Sequence, residues 1–330
     1  MRILVTGGAG FIGSHYVRQL LGGAYPAFAE VAEVIVLDKL TYAGNEANLA
    51  PVAEDPRLKF VRGDICDREL VTGLLRGIDV VLHFAAETHV DRSINGSDAF
   101  VTTNVVGTNA LLQAAAENGV GKFVHVSTDE VYGSIESGSW PEEHALEPNS
   151  PYSAAKAGSD MLARAYYRTH GLPVCITRCS NNYGPYQFPE KVLPLFITNL
   201  MDGKPVPLYG DGMNVRDWLH VDDHCRGIQL VAEAGLAGEI YNIGGGTELT
   251  NAELTERLLA EFGAGREMIE HVTDRKGHDR RYSVDHNKIV TQLGYEPAVD
   301  FTTGLRETVR WYRENRSWWE PLKERAAVAR

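Results

Sequence analysis

The sequence predicts an α/β protein: a doubly wound parallel sheet of about seven strands with a smaller, interleaved second domain towards the C-terminus. Three observations predict it. Short β-branched runs alternate with helix-length segments, a glycine-rich turn joins the first run to the first helical pattern, and the rhythm breaks near Tyr183 into turn-rich chain.

The strand-like runs are residues 3–6, 34–38, 59–62, 80–84, 123–127, 174–178 and 240–243. Each is short, apolar and separated from the next by enough chain for a helix. Parallel strands need such crossovers, and right-handed crossovers place helices on both faces of one sheet. After the first run an amphipathic pattern covers 14–21. Beyond Gly184-Pro185 the segment 205–213 is rich in turn residues, before a helical 254–262. The segment 222–233 and the run ending at 243 return to the sheet. Residues 1–185 plus about 222–245 therefore form one expected domain, and about 186–221 plus 246–330 the other.

With 330 residues the chain is long enough for about two domains and a large core. Its 44% hydrophobic and 23% charged residues are ordinary for a globular protein, and no low-complexity tract, heptad or internal repeat is present. A formal charge of −12 repels nucleic acid and anionic membranes over most of the surface, so an anionic ligand requires a local cationic pocket. No apolar stretch approaches the roughly 20 residues of a membrane span, and the opening run is too short for a signal-peptide core. A cytoplasmic protein is expected. Cys66, Cys175, Cys179 and Cys225 form no CxxC pair and are read as buried thiols, with no metal site expected.

Gly7, Gly10 and Gly13 form a GxxGxxG turn between the first strand and the first helix. Glycines there let the backbone approach a pyrophosphate, whose charge sits at a helix N-terminus among unpaired N–H groups. This is the Rossmann fingerprint in its required context. Asp38, 25 residues after Gly13, can accept hydrogen bonds from ribose hydroxyls and repel a 2′-phosphate, which favours NAD; adjacent Lys39 softens that preference. A solvated strand-end carboxylate is the plain alternative. Asp64 either reaches the adenine or caps its own loop.

Tyr152 and Lys156 form a YxxxK pair on one helix face. A phenol of ordinary pKa about 10 is only about 0.1% ionised at neutral pH, and lowering it by about 3 units needs roughly 4 kcal/mol. One ammonium at about 4 Å supplies that much at an effective dielectric of about 20, so Lys156 is expected to make Tyr152 a usable base. Thr128, Asp129 and Glu130 follow the fifth strand at the sheet edge where such folds bind ligands. Adjacent acids face opposite ways in a regular strand, so both reach a ligand only where the chain is already turning. An acidic surface loop is the alternative.

Taken together these residues resemble the extended short-chain dehydrogenase/reductase family and, within it, the dTDP-glucose 4,6-dehydratases. The resemblance covers nearly the whole chain: residues 6–13, AAETHVDRS at 85–93, 127–133, 152–156, RCSNNYGPYQFPEKVLP at 178–194, 209–224 and 274–282. Thr88 stands where the family more commonly has serine and keeps the hydroxyl. The resemblance implies that Tyr152 takes the proton of the sugar 4-hydroxyl as hydride passes from C4 to NAD. Glu130 then takes the C5 proton and a protonated Asp129 donates to the leaving C6 hydroxyl, before hydride returns to C6. Two neighbouring carboxyls in a dry site can hold one proton in this way.

It further implies cofactor contacts at Phe11, Ile12, Leu40, Thr41, Ile65, Phe84, Ala85, Ala86, Thr103 and Asn182, with Tyr42 nearby. The sugar nucleotide would be held by Thr88, Thr128, Asn181, Lys191, Val192, Pro207, Tyr209, Arg216, Asn251, Arg275 and His278, among which Arg216, Arg275 and His278 bring positive charge to the diphosphate. A homodimer built on helices near 103–117 and 153–167 is implied as well. Trp311, Trp318 and Trp319 are assigned to packing. The competing readings are a nucleotide-sugar 4-epimerase, which needs no Asp-Glu pair, and a non-catalytic NAD-binding protein, which needs neither Tyr152 nor Lys156.

Overall fold

The computed structural model describes residues 1–328. Seven strands form the large sheet: β1 (Arg2–Thr6), β2 (Glu33–Asp38), β3 (Leu58–Arg62), β4 (Val80–His83), β5 (Lys122–Thr128), β6 (Val174–Cys179) and, after three strands elsewhere, β10 (Ile240–Ile243). All pairings are parallel, in the order β10-β6-β5-β4-β1-β2-β3. These are the seven runs expected from the sequence. The near-continuous apolar character of the inner strands follows from burial on both faces, whereas the edge strand β3 carries Lys59 and Arg62 and is only half-buried.

The period-2 alternation of side chains divides each strand between two cores. Ile3, Val5, Val34, Val36, Val80 and Leu82 face one core, with Tyr16 and Val17 of the helix Phe11–Leu21 and Cys225, Ile228 and Val231 of the helix Val221–Ala234. Leu4, Ile35, Leu37, Val81 and Phe123 face the other, with Leu111 and Leu112 of Thr108–Glu117 and Ala163 of Pro151–His170. The first helix begins at Phe11, three residues before the amphipathic pattern suggests, because the glycine turn feeds straight into it.

The long helix Pro151–His170 carries Tyr152 and Lys156 in its first two turns. Its start is set by a Ser150/Ser153 capping box and Pro151, and Gly171 ends it at φ 67°.

β7 (Asn181–Tyr183) follows β6 after one residue but pairs with β9 (Val215–His220), which also pairs with β11 (Glu248–Thr250). β8 (Val206–Tyr209) pairs with β12 (Ile269–Val272). Trp218, Leu254, Leu258, Phe301, Leu305 and Trp319 form the core beneath these small sheets. Trp311 and Trp318 pack against it, and Trp318 does more: its Nε1 donates to Asn48 Oδ1 at 2.9 Å. Cys175, Cys179 and Cys225 are buried, whereas Cys66 is half-exposed, which corrects the expectation of four buried thiols; it lies at the end of the loop after β3. Among the described residues no helix is long and apolar enough to cross a membrane.

Candidate active site

The sheet order reverses between β1 and β4, and a cavity of about 300 Å³ opens there, at the carboxyl ends of the strands. Gly7, Gly10, Phe11, Ile12 and Gly13 form its floor. Gly7 has φ +70°, and a Cβ on it would lie 2.6 Å from Ala85 N. A Cβ on Gly13 would lie 2.4 Å from Gly7 O. The turn thus admits no side chains at these positions, and it leaves the helix N-terminus open to a phosphate.

Asp38 lines the same cavity at the end of β2 and is buried, which pushes its carboxyl above the usual range. Its two oxygens accept from Ala9 N at 2.9 Å and Leu40 N at 2.8 Å, and each keeps a further lone pair for a hydroxyl donor. Lys39 pairs with Asp64 Oδ2 at 2.6 Å, so its charge is already answered within the protein. Asp64 lines the cavity and caps its own loop, accepting from Cys66 N at 2.9 Å. Thr41, Ile65, Phe84, Ala85, Ala86, Thr103 and Asn182 line the cavity too. Leu40 does not: it takes the left-handed φ of 56° and serves through its backbone N–H. Donors for a diphosphate, a carboxylate for a ribose and an apolar wall together fit a dinucleotide.

At the other end, Thr128, Asp129, Glu130, Tyr152 and Lys156 converge. The surroundings of the Tyr–Lys pair oppose ionisation of the phenol. Burial pushes the Tyr152 phenol well above its ordinary range, Glu130, Cys179 and Asp129 push it further, and only Thr128 hydrogen bonding opposes them. Lys156 is turned towards the backbone, its Nζ donating to Val126 O at 2.7 Å, and burial lowers its own pKa to about 8. Its spacing from Tyr152 on the helix therefore does not by itself activate the phenol.

β5 ends at Thr128 and the chain turns at once into a short 3-10 helix, Asp129–Tyr132, capped by Thr128 Oγ1. That turn lets both acids line one cavity. Asp129 is raised well above the carboxylate range by burial first and then by Glu130 and Asp217, and its Oδ2 has no hydrogen-bond partner among the described residues. Burial raises Glu130 as well, but Lys191, Arg216 and Arg275 pull it back. The surroundings thus favour a protonated Asp129 beside a more readily ionised Glu130.

Lys191, Thr88 and Asn181 line the cavity, with Lys191 Nζ donating to Thr88 O at 2.8 Å. Val192, Pro207, Tyr209, Arg216, Asn251, Arg275 and His278 do not line it but lie in or beside a cluster next to it. Arg275 lies over the Tyr209 ring at 5.0 Å and 3.3 Å from Asp91, while Arg216 lies over Tyr282 at 4.1 Å and donates to Asp279 O at 2.9 Å. His278 pairs with Asp274 at 2.6 Å and meets the Tyr209 edge. Asn251 begins the helix Asn251–Phe262, its N–H bound to Asn214 O. Val192 begins the helix Val192–Met201, and Pro207 lies on β8 two residues before Tyr209.

Sequence reasoning missed Glu190, Gln187, Phe188, Ser180 and Cys179 as lining residues. Glu190 is buried and binds Arg92 at 2.9 Å through Oε2. Its place beside Lys191 in the quoted 178–194 stretch is the one signal that could have found it.

The profile of the GDP-mannose 4,6 dehydratase family matches residues 4–308. A dTDP-glucose 4,6-dehydratase of Actinoplanes sp. is 63% identical over 319 residues, covering 97% of this chain and 100% of its own. The crystal structure of a dTDP-glucose 4,6-dehydratase from Streptomyces venezuelae with NAD bound is 68% identical with TM-score 0.97, covering 98% of this chain and 100% of its own. A UDP-glucose 4-epimerase from Thermotoga maritima, solved with UDP-glucose, is 34% identical with TM-score 0.87, covering 95% and 99%.

Proposed function

The chain belongs to the GDP-mannose 4,6 dehydratase family, in the nucleotide-sugar branch of the extended short-chain dehydrogenases/reductases, and from that premise we infer that it is an NAD-dependent dTDP-glucose 4,6-dehydratase. It converts dTDP-glucose to dTDP-4-keto-6-deoxyglucose and water. The observation that carries the reading is the meeting of the YxxxK pair with Asp129 and Glu130 in one cavity. A 4-epimerase has no elimination to catalyse and no use for that acid pair.

NAD, when bound, would supply the acceptor and then the donor of the hydride that leaves C4 and returns to C6. Gly7, Gly10, Gly13, Asp38 and Thr103 would hold it. Tyr152 removes the proton of the 4-hydroxyl, with Thr128 positioned to share the hydrogen bonding of that oxygen. The resulting 4-ketone acidifies C5, whose proton passes to Glu130. The C6 hydroxyl leaves as water with the proton of Asp129. Lys191, Arg216 and Arg275 support binding of the diphosphate as positive groups in a chain of net charge −12, and His278, whose pKa burial lowers, as a hydrogen-bonding imidazole. In this reading residues 1–185 and about 222–245 serve the cofactor, and about 186–221 and 246–330 the sugar nucleotide.

Two finer points belong to the same reading. Val101, Val106 and Met161 expose apolar side chains on the helical segments Val101–Gly107 and Pro151–His170, which supports a homodimer using these faces. The reading also places the enzyme in the cytoplasm, with its nucleotide substrate. The functional test is to incubate the purified protein with dTDP-glucose and identify the product by NMR. A methyl group at C6 with no proton at C4 is expected, whereas a galactose product would replace this reading with the epimerase.

A further inference from the structure

Behind the residues that line the cavity lies a charged network to which the reaction assigns no step. Asp160 is one helical turn beyond Lys156 on the same face of Pro151–His170 and is 1% exposed. Its Oδ2 accepts from Arg178 Nε at 2.9 Å, and its Oδ1 lies 3.2 Å from His125 Nε2. Arg178, on β6 and 2% exposed, extends its other arm to the acid turn, where Nη1 donates to Tyr132 Oη at 2.8 Å and to Glu142 O at 3.3 Å. Tyr132 closes the 3-10 turn that begins with Asp129. Its hydroxyl donates to Asn242 Oδ1 at 2.9 Å and its ring stacks on Trp140 at 5.3 Å.

We propose that Arg178 is a positioning residue shared by two chemical stations. Through Asp160 it holds the helix carrying Tyr152 and Lys156, and through Tyr132 it holds the turn carrying Asp129 and Glu130. The inference rests on the dehydratase reading. Oxidation at C4 and elimination across C5 and C6 act on one sugar, so the two sets of groups must keep a fixed separation while the sugar stays in place. A guanidinium suits the task because its planar fork donates in two directions from one rigid group. A buried network linking elements so far apart in the chain is also costly to assemble, since each charge must be answered by hydrogen bonds and not by water.

A brace of this kind differs from a purely structural one in its kinetic signature. Tyr132→Phe removes the hydroxyl at the acid turn and leaves the ring on Trp140 and the Arg178–Asp160 pair intact. Oxidation should continue while elimination slows about 10-fold or more, since displacements near 1 Å cost as much as about 100-fold. Reduced nicotinamide should then accumulate during turnover, seen by its near-ultraviolet absorbance, to a larger share of the enzyme than in the unaltered protein. Arg178→Lys keeps the charge against Asp160 but cannot fork to Tyr132, and it should show the same accumulation. Folded variants in which the overall rate falls without more reduced cofactor, or does not change, would overturn the proposal, and so would failure of both variants to fold. The unaltered protein is the control: its failure to turn over dTDP-glucose would reject the dehydratase reading itself.

Discussion

The ammonium of Lys156 donates to the main-chain carbonyl of Val126 at 2.7 Å, joining the base-bearing helix to the end of β5 two residues before Thr128. Burial lowers this lysine to about 8, so the charged form prevails below that value and is lost as pH rises through it. If the ammonium supports the Tyr152 base, kcat/KM should fall as pH climbs past about 8, and Lys156→Met should lose about 10²–10⁴ of the activity. A pH profile that stays flat well above 8 would contradict this.

Asp129 offers a stability test with a definite sign. Its folded pKa is raised by burial, so the native state binds its proton more tightly than the unfolded chain does. Ionisation then penalises the native state as pH rises above the unfolded value of about 4, and no penalty exists below it. Asp129→Asn should therefore raise the denaturation midpoint near neutral pH, with the gain shrinking towards pH of about 4, while activity drops by about 10²–10⁴. Denaturant titrations at both pH values measure it; a gain that does not shrink would show that Asp129 is ionised in the fold.

The glycine turn predicts a loss of cofactor without a general loss of folding. A Cβ at position 13 would lie 2.4 Å from Gly7 O, so Gly13→Ala must open the turn. The purified variant should retain little NAD, with affinity reduced about 10-fold or more, equivalent to about 1.4 kcal/mol. Gly73 lies in the helix Arg68–Leu74, where an added Cβ would meet open space beyond the helix's own backbone. Gly73→Ala should keep its NAD and gain up to about 1 kcal/mol of stability. Nucleotide released on denaturation and quantified by chromatography separates the two.

The strands of the large sheet were legible because those inside it, buried on both faces, are mostly apolar, and the glycine turn because a phosphate-binding backbone excludes side chains. The Asp129–Glu130 pair was legible with the condition that the chain turns after Thr128, and it does. Spacing could not reveal desolvation. Tyr152 and Lys156 stand four residues apart as a base pair should, yet the fold buries both, raising one and lowering the other. Lys39 looked like a competitor of Asp38 until the fold paired it with Asp64. The Arg178–Asp160–Tyr132 network joins residues from β6, a helix and a turn, and no local pattern announces it.

The central claim is that one bound NAD moves hydride within one sugar, from C4 to C6. Its most direct test uses dTDP-glucose deuterated at C4, purified protein with no added cofactor, and NMR of the product. Deuterium at C6 of a 4-keto-6-deoxy sugar is the predicted result. Label retained at C4 of a dTDP-galactose product would contradict the account and remove the roles given to Asp129 and Glu130.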